Sequence, residues 1–171
     1  MRVYVSVLVL AASAALLAAC GKPQSASDQA ASPTEPASAP AAAPAEPTPD
    51  QAKAIMATLP APYNAADLDN GKAKFAICKS CHTTAQGGPN MTGPNLYGVF
   101  GRKAGSLDGF AYSDALKATG ISWDPAHIET WIADPKAMVP TTKMSFFGLK
   151  DAKDRVDVIA YLKTETSPLP K

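Results

Sequence analysis

Two cysteines and a histidine stand together near the middle of the chain, in the order Cys78-Lys79-Ser80-Cys81-His82. Thiols at positions i and i+3 followed at once by histidine form the attachment pattern of c-type haem. One turn of chain can bring both sulfurs to the two vinyl groups of the rigid ring, and the adjacent imidazole then falls beneath the iron. The pattern therefore predicts a covalent haem held by Cys78 and Cys81, with His82 as a ligand of the iron.

Two other uses of a Cys-x-x-Cys pair are less consistent with the sequence. A thioredoxin-like redox pair is expected within a βαβ pattern, which the sequence around these cysteines does not show. A zinc site needs a second pair of ligands. The remaining candidates for such ligands are Cys20, which is far away in sequence, and His127.

Length and composition indicate one domain with additional segments. The chain has 171 residues, and its 16 basic side chains nearly balance its 15 acidic ones, so nothing suggests a nucleic-acid partner. Seven of the 16 prolines lie before position 50. This clustering favours a linker ahead of the domain.

The first 20 residues are typical of an export signal. Arg2 supplies a positive charge, an apolar run follows from Val3 to Leu17, and small residues precede Cys20. The ending resembles the bacterial lipoprotein box, which implies a signal peptide at 1–19 and lipidation of Cys20. An ordinary secretory signal and an uncleaved anchor remain alternatives, and all three export the chain.

Residues 20–60 are interpreted as the lipidated Cys20 followed by a disordered Ala/Pro-rich tether. A segment of this composition cannot bury enough apolar surface to offset its ordering entropy. As polyproline II, roughly 40 residues could reach on the order of 120 Å. The stretch from Gln51 to Leu59 is weakly helical, and we interpret it as unstructured spacer.

Residues 61–171 are expected to form the globular domain, beginning and ending with a helix. The first helix is predicted over Asp67–Cys78 and is interrupted by Gly71, which is tolerable where another helix approaches closely. The last is predicted over Asp151–Thr164, where Asp151 can cap its start. We expect the two helices to cross near Gly71.

The region between these helices is rich in loops. Five glycines and two prolines between Gly87 and Gly101 argue against long helices or strands. Short helices are predicted over Ser113–Thr119 and over Asp124–Ala133, where Asp124 can cap and Pro125 can open the helix. The fold class expected from these patterns is all-α with long loops.

An iron bound by one histidine has a second axial position. The candidates that follow the motif are His127, Met91, Met138 and Met144. Met91 is close in sequence to His82, whereas Met144 occupies a loop after a proline, from which a side chain can reach inward. Core packing is the usual role of a single methionine, so the residues alone leave the ligand open.

The domain resembles class I cytochrome c of the mitochondrial type. The matching segments are CKSCH (78–82), GPNLYGVFGRKAG (93–105), GFAYSDA (109–115), ISW (121–123), DPKAMVPTTKMSF (134–146) and DVIAYLK (157–163). They occur in family order and spacing. The resemblance implies a small helical fold around one covalent haem c, with the N- and C-terminal helices packed together.

Carried onto this sequence, the resemblance implies thioether bonds at Cys78 and Cys81 and proximal ligation by His82. The carbonyl of Pro94 would orient the imidazole, and Met144 would be the distal ligand. The resemblance implies five further roles around the haem propionates and edge. Tyr112 and Trp123 would hydrogen-bond a propionate, and Arg102 would lie near the same buried charge. Thr142 would lie beside the propionate and the distal loop, and Phe146 would lie over the haem edge.

Three positions depart from the family pattern. Thr141 stands where glycine is usual, Trp131 where tyrosine is common, and Leu116 where the mitochondrial type has asparagine. The resemblance places Trp131 and Leu116 near the distal side. They could alter the buried hydrogen bonds and water there, and with them the reduction potential.

The function implied is an electron carrier rather than an enzyme, because two protein ligands leave the iron no open position. The expected partners are a quinol-oxidising complex as donor and a terminal oxidase or reductase as acceptor in a respiratory chain. The chain would be a monomer facing the periplasm, and Gly21 after Cys20 favours the outer membrane. A peroxidase-like or gas-binding haem protein, and a structural lipoprotein, are the alternatives.

Four lysines are candidates for the rim of the haem edge: Lys79, Lys103, Lys136 and Lys143. Between positions 61 and 171 there are 13 basic and 11 acidic side chains. A domain so nearly neutral predicts weak electrostatic steering and only a modest effect of salt on partner association.

Overall fold

The computed structural model describes residues 46–170. The six α-helices in this range are α1 Pro49–Met56, α2 Leu68–Phe75, α3 Asp114–Ala118, α4 Pro125–Ala133, α5 Pro135–Met138 and α6 Ala152–Thr166. Short 3₁₀ turns occur at Tyr63–Ala65 and Cys78–Ser80, and the only β-pairing between 46 and 170 is an isolated bridge from Lys103 to Ser122. The predicted all-α fold is confirmed. The predicted signal (1–19), Cys20 and the first part of the predicted tether lie outside the described residues.

Helices α2 and α6 begin where the sequence predicts. The Asp67 carboxylate accepts hydrogen bonds from the backbone N–H groups of Asp69 and Asn70 and so caps α2. Asp151 caps α6 in the same way, by accepting from the N–H of Asp154 at 2.9 Å. Each cap satisfies N–H groups that have no partner within the helix.

The two helices cross at Gly71, as expected from the sequence. A Cβ atom at Gly71 would lie only 2.3 Å from the carbonyl oxygen of Asp157. Glycine is therefore required for the helix backbones to approach this closely. One turn further along α2, the rings of Phe75 and Tyr161 pack with centroids 5.6 Å apart.

A buried carboxylate links α2 and α6 where the two helices cross. The side chain of Asp157 is 2% exposed. It accepts hydrogen bonds from the Asp67 N–H at 2.9 Å, from Asn70 Nδ2 at 2.7 Å and from Lys153 Nζ at 2.6 Å. A buried charge is tolerated when it is paired and hydrogen-bonded in this way. Burial opposes ionisation, but these donors hold the pKa of Asp157 below its ordinary value.

The interpretation of Gln51–Leu59 as unstructured spacer is wrong, because α1 occupies most of this stretch. Thr48 caps the helix: its hydroxyl accepts from the Gln51 N–H, and the Gln51 side chain accepts from the Thr48 N–H. Ala52 and Ile55 lie on one helical face, are buried, and α1 packs against α6. The folded region therefore starts before residue 61.

Residues around α1 are also tied to the rest of the domain by polar contacts. Gln51 donates to the carbonyl of Pro170 at 3.2 Å, and Lys72 pairs with Glu46 at 3.0 Å. The hydroxyl of the buried Tyr63 donates to Glu129 in α4 at 2.5 Å. The segment from 46 to 65 is therefore joined to both α4 and the chain end.

The predicted short helices α3 and α4 are confirmed with their caps. Ser113 accepts from the Leu116 N–H, and Asp124 accepts from the His127 N–H at 2.7 Å. The sequence analysis did not predict α5. Asp134 ends α4 and at once caps α5 by accepting from the Ala137 N–H. None of the helices between 46 and 170 has the length and apolar character of a membrane span.

Candidate functional site

The imidazole of His82 is held in one orientation by the backbone opposite it. Its Nδ1 lies 2.7 Å from the carbonyl oxygen of Pro94, which can only accept, so Nδ1 carries the proton. Burial lowers the pKa of His82, although the Pro94 carbonyl partly offsets this effect. The ring is therefore neutral, with its Nε2 lone pair available to a metal.

Gly93 makes room for this ring. A Cβ atom at Gly93 would lie 2.3 Å from Cε1 of His82. The Gly93 N–H donates to the carbonyl of Cys81 at 2.8 Å, and the Leu96 N–H donates to the carbonyl of Thr83 at 2.8 Å. These bonds hold the segment that carries Pro94 against the residues that follow the second cysteine.

The two cysteines lie on the short turn that leads into His82. The N–H groups of Cys81 and His82 both donate to the carbonyl of Cys78, at 3.1 and 3.0 Å. Both cysteines are half-buried free thiols. Burial raises the pKa of the Cys78 thiol to about 11, so this sulfur is protonated at neutral pH. The turn thus presents two thiols and one imidazole from five consecutive positions.

The sequence analysis did not single out Asn95, which organises the loop beside His82. It is buried, and its Nδ2 donates to Thr83 Oγ1 at 2.7 Å and to the Ala85 carbonyl at 2.9 Å. Its Oδ1 accepts from the N–H of Tyr97 at 2.9 Å. Asparagine is a typical turn residue because its side chain can accept from the backbone N–H two residues later, and this preference is the signal that could have identified Asn95.

Arg102, Tyr112 and Trp123 are the residues that the resemblance assigns to the propionates. The Arg102 guanidinium donates to the carbonyls of Asn95 and Tyr97, and its own carbonyl accepts from the Trp123 N–H at 2.9 Å. Burial lowers the pKa of Arg102, and Tyr112 partly offsets this effect. Burial likewise raises the pKa of Tyr112.

The half-buried cation of Arg102 has no carboxylate partner among residues 46–170, since none of the ion pairs there involves it. A buried charge is costly unless it is paired. The surroundings of Arg102 therefore suit an anionic group, which is what a haem propionate would bring.

Met144 lies on a loop that packs against the buried core. Its N–H donates to Thr142 Oγ1 at 3.2 Å, and the Thr142 N–H donates to the carbonyl of Val139 at 2.9 Å. Phe146 is half-buried, whereas the next residue, Phe147, is 96% exposed. The loop is thus turned by Thr142 so that Met144 faces inward.

The other candidates for the second axial ligand are placed differently. His127 Nδ1 lies 2.8 Å from the Asp124 carboxylate at the start of its own helix. Met91 is 47% exposed, and Met138 packs against the core in α5. These placements set His127 and Met91 apart from Met144, whereas Met138 packs against the core as Met144 does.

The positions that depart from the family pattern are found in two environments. Trp131 and Leu116 belong to the buried core, and the ring of Trp131 packs against that of Trp123 with centroids 5.5 Å apart. Thr141 is exposed at the start of the turn that holds Thr142. Of these three positions, Trp131 is the one that contacts Trp123, a residue assigned to the propionates by the resemblance.

Taken together, the residues fit a covalently held haem. Two free thiols precede a neutral imidazole whose ring is fixed by Pro94. The half-buried Arg102, which pairs with no carboxylate among residues 46–170, supplies the site for a carboxylate. The methionine loop and the core supply an apolar wall, which includes the partly buried Leu96 and Phe100.

Comparisons with known proteins agree with this fit. The sequence model of the cytochrome c family matches residues 68–166. The chain is 45% identical over 109 residues to cytochrome c2 of Blastochloris viridis, covering 64% of this chain and 86% of that protein. It is 49% identical over 101 residues to cytochrome c of Gibberella zeae, covering 58% and 95%.

A solved structure is similar as well. Cytochrome cH from Methylobacterium extorquens aligns with a TM-score of 0.54 at 51% identity. The alignment covers 58% of this chain and 99% of that one. The relative therefore consists almost wholly of the matched region.

Proposed function

The chain belongs to the cytochrome c family, and we propose that it carries single electrons on a haem whose iron is bound by His82 and Met144. Members of this family hold one covalently attached c-type haem and are electron carriers rather than enzymes. The chain is thus an electron-transfer haem protein with other redox proteins as partners. The observation that carries the assignment of His82 is its imidazole, which the Pro94 carbonyl fixes directly after Cys78 and Cys81.

Haem bound at such a site supplies an iron that changes between the ferrous and ferric states. Cys78 and Cys81 would fasten the ring through their sulfurs. The Pro94 carbonyl keeps the proton on Nδ1 of His82 and so leaves Nε2 for the iron. Gly93 leaves room for the imidazole, since a Cβ atom there would clash with the ring, and the hydrogen bond to Pro94 would hold the ring in place.

Four residues would bind the propionates and the distal loop. Arg102 offers an unpaired cation, and Tyr112 and Trp123 offer an O–H and an N–H donor beside it. Thr142 holds the backbone of the loop through the N–H of Met144. Together, Arg102, Tyr112 and Trp123 would offset the cost of taking a propionate charge out of water.

The thioether of Met144 would complete the coordination of the iron. Methionine opposite histidine raises the reduction potential. If His82 and Met144 both bind the iron, no position would be left for a substrate. Phe146, which is half-buried in the same loop, would cover the haem edge.

We further propose that the domain is held at a membrane on its extracytoplasmic side by lipidated Cys20. The lipoprotein-like sequence 1–20 and the Ala/Pro-rich composition that follows support this. Since the folded region begins near Thr48, about 28 residues remain as the tether, with a reach on the order of 90 Å as polyproline II. Anchoring would raise the effective concentration of the carrier at a quinol-oxidising complex and at an oxidase or reductase.

The carrier assignment is tested by potentiometric titration of the purified holoprotein. We expect one reversible one-electron transition and no change in the spectrum of the reduced form on exposure to carbon monoxide. A spectral shift with carbon monoxide would show an open iron position and would contradict the assignment.

The anchor is tested separately by fractionating cells that produce Cys20→Ala. The wild type should sediment with membranes, and the variant should appear in the soluble extracytoplasmic fraction. A variant that stays in the membrane fraction would favour an uncleaved signal as the anchor.

Shortening residues 22–45 while keeping Cys20 should lower respiratory electron flux, and unchanged flux would count against a role of the tether.

A further inference from the structure

We propose that Tyr63 is a positioning residue for Met144, and that it acts by holding the end of the loop that carries this methionine. The connection runs from the Tyr63 hydroxyl through Glu129 and Arg155, and we refer to these three residues as the loop clamp. The proposal rests on the proposed function, because it takes Met144 as the distal ligand of the iron.

Tyr63 lies ahead of the residues that the family model matches, which begin at 68. It opens the 3₁₀ turn Tyr63–Ala65, which packs against α1 and α6. Tyr63 is 6% exposed, and its hydroxyl donates to Oε2 of Glu129 in α4 at 2.5 Å. Burial and the neighbouring carboxylate both raise the pKa of Tyr63, so the hydroxyl keeps its proton and remains a donor.

Glu129 connects the tyrosine to α6. Its second carboxylate oxygen, Oε1, lies 3.6 Å from Nη2 of Arg155, and 28% of the Glu129 side chain and 16% of the Arg155 side chain are exposed. Among the residues that the structure describes, Glu129 is the carboxylate that pairs with Arg155, whose buried Nε has no hydrogen-bond partner. A poorly solvated guanidinium depends on the few partners that it has. The position of Glu129 therefore influences the position of Arg155.

Arg155 holds the end of the methionine loop, which comprises residues 139–149. Its Nη1 donates to the carbonyl of Leu149 at 3.0 Å and to the carbonyl of Lys150 at 2.8 Å. The Leu149 N–H donates to the carbonyl of Ile132 in α4 at 2.7 Å. The end of the loop is therefore attached to α4 and α6, the two helices that the loop clamp joins.

The part of the loop nearest Met144 has few attachments of its own. The Met144 N–H donates to Thr142, but no backbone group from 145 to 148 forms a hydrogen bond with another residue in the part of the chain that the structure describes. A Cβ atom at Gly148 would lie only 2.0 Å from the carbonyl oxygen of Ala133, so the loop passes close to the end of α4 there. The position of Met144 therefore depends on how the two ends of the loop are fixed.

Opening of the loop separates a positioning role from simple support of the fold. Methionine can leave the iron only if the loop moves away, and proteins undergo such local openings well below global unfolding. Because Arg155 contacts both the loop and Glu129, we expect release of the loop to loosen the contact of Glu129 with Tyr63. Loss of the Tyr63 hydroxyl then destabilises the closed state more than the open state. A residue that only stabilises the fold would destabilise both states equally.

Imidazole binding to the oxidised full-length holoprotein, at fixed pH and salt, measures the open fraction. Free imidazole binds the ferric iron only when Met144 has left it, so its apparent dissociation constant is inversely proportional to the fraction of open molecules. The titration is followed through loss of the weak far-red band of sulfur bound to ferric iron. We expect Tyr63→Phe, which keeps the buried ring, to lower this constant about fivefold, within the range that loss of one hydrogen bond produces.

Tyr161→Phe is the matched control, because it also removes a single tyrosine hydroxyl from a buried side chain. That hydroxyl accepts from Lys79 Nζ at 3.2 Å and does not belong to the loop clamp. Ile55→Ala weakens the fold without removing a polar group of the loop clamp. Both variants should bind imidazole as the wild type does, even where denaturant unfolding shows a lower stability.

Glu129→Gln tests the route independently of the tyrosine. It keeps the size of the side chain and removes the charge that pairs with Arg155, so it should also lower the imidazole constant. Residues that act through one another have non-additive effects. Tyr63→Phe should therefore have little further effect when it is combined with Glu129→Gln.

Three results would overturn the proposal. Equal imidazole affinity in wild type and Tyr63→Phe would show that the hydroxyl does not position the loop, whatever it contributes to the free energy of unfolding. An equal gain of affinity in Tyr161→Phe would show a general loosening of the domain. Full additivity of Tyr63→Phe and Glu129→Gln would show that Tyr63 does not act through Glu129.

Failure of the positioning role and failure of the ligand assignment give different results. If the oxidised wild type lacks the far-red band, Met144 is not the ligand and the proposed function fails. If the band is present but Tyr63→Phe binds imidazole as the wild type does, only the positioning proposal fails.

Discussion

At the scale of single residues, the site depends on groups that fix the orientation or the protonation of a neighbouring side chain. Pro94 determines which nitrogen of His82 carries the proton, and Gly93 leaves the space that the ring occupies. Arg102 donates to two carbonyls and forms no ion pair within the part of the chain that the structure describes. These residues prepare the site for the haem through their hydrogen bonds and packing.

Arg102 provides the first prediction at this scale. Arg102→Gln should lower the reduction potential by an amount on the order of tens of millivolts, because removing a partly buried cation near the haem favours the ferric form. The measurement is a spectroelectrochemical titration at fixed pH and salt. Arg102→Lys keeps the charge and should retain most of the potential. A rise in potential in Arg102→Gln, or an equal fall in both variants, would contradict the electrostatic role.

Sequence analysis identifies the attaching residues because covalent chemistry restricts their spacing. Cys78, Cys81 and His82 must occupy this pattern whatever surrounds them. Asn95 was missed because loop residues show no periodicity, and its bonds to Thr83 and Ala85 depend on a folded turn.

At the scale of helices, the contact of α2 with α6 combines a close approach at Gly71 with the buried carboxylate of Asp157. The carboxylate joins both helices, since it accepts from Asp67 and Asn70 on one side and from Lys153 on the other. This pair of helices encloses the core next to the attachment turn, so its stability affects retention of the site.

The lowered pKa of Asp157 predicts how stability depends on pH. Its contribution should be complete above the unfolded-state pKa of about 3.9 and should be lost as pH falls through the lower folded-state value. Asp157→Asn should therefore lower the free energy of unfolding by about 2 kcal/mol at pH 7, as charged hydrogen bonds are lost. The difference from wild type should shrink below about pH 4.

Denaturant unfolding between pH 3 and pH 7 measures this difference. Asp69→Asn changes an exposed aspartate on α2, the helix that packs against α6, and serves as the control. If the difference in free energy of unfolding between wild type and Asp157→Asn stays constant from pH 3 to pH 7, the charge of Asp157 is not the cause of that difference.

Helix α1 leads to a second prediction at this scale. Ile55 is 4% exposed, so Ile55→Ala should lower the free energy of unfolding by about 3 kcal/mol through lost burial and a cavity. Lys53→Ala, on the exposed face of the same helix, should change it by less than about 0.5 kcal/mol. If both variants unfold at the wild-type denaturant concentration, α1 contributes nothing to the domain.

The helices that start at a recognisable cap could be predicted from the sequence, whereas α1 could not. Asp67, Ser113, Asp124 and Asp151 are caps that can be recognised from sequence, and all four begin helices. Helix α1 was misjudged because its Ala- and Pro-rich surroundings resemble a linker, and its buried face is short. Its stability comes from packing on α6, which local sequence does not reveal.

At the scale of the whole molecule, charge is balanced where the structure describes the chain. Residues 46–170 contain 13 basic and 13 acidic side chains. Several are paired within the domain, including Lys72 with Glu46 and Lys74 with Asp154. Little net charge is left to attract a charged partner from a distance.

This balance predicts a weak effect of salt on electron transfer. Oxidation of the reduced holoprotein by hexacyanoferrate(III) should slow by less than about threefold between 0.01 M and 0.1 M salt, although the Debye length falls from about 30 to 10 Å. Stopped-flow spectrophotometry gives the rates. A decrease of tenfold or more would reveal a local positive field that the charge balance does not predict.

Ligation of the iron by His82 and Met144 is the central claim, and the optical spectrum of the oxidised holoprotein tests it most directly. The account predicts a weak far-red band from sulfur bound to ferric iron, lost in Met144→Ala and kept in Met91→Leu. A wild-type spectrum without this band, with high-spin haem, would contradict the account, because the second axial position would then be open.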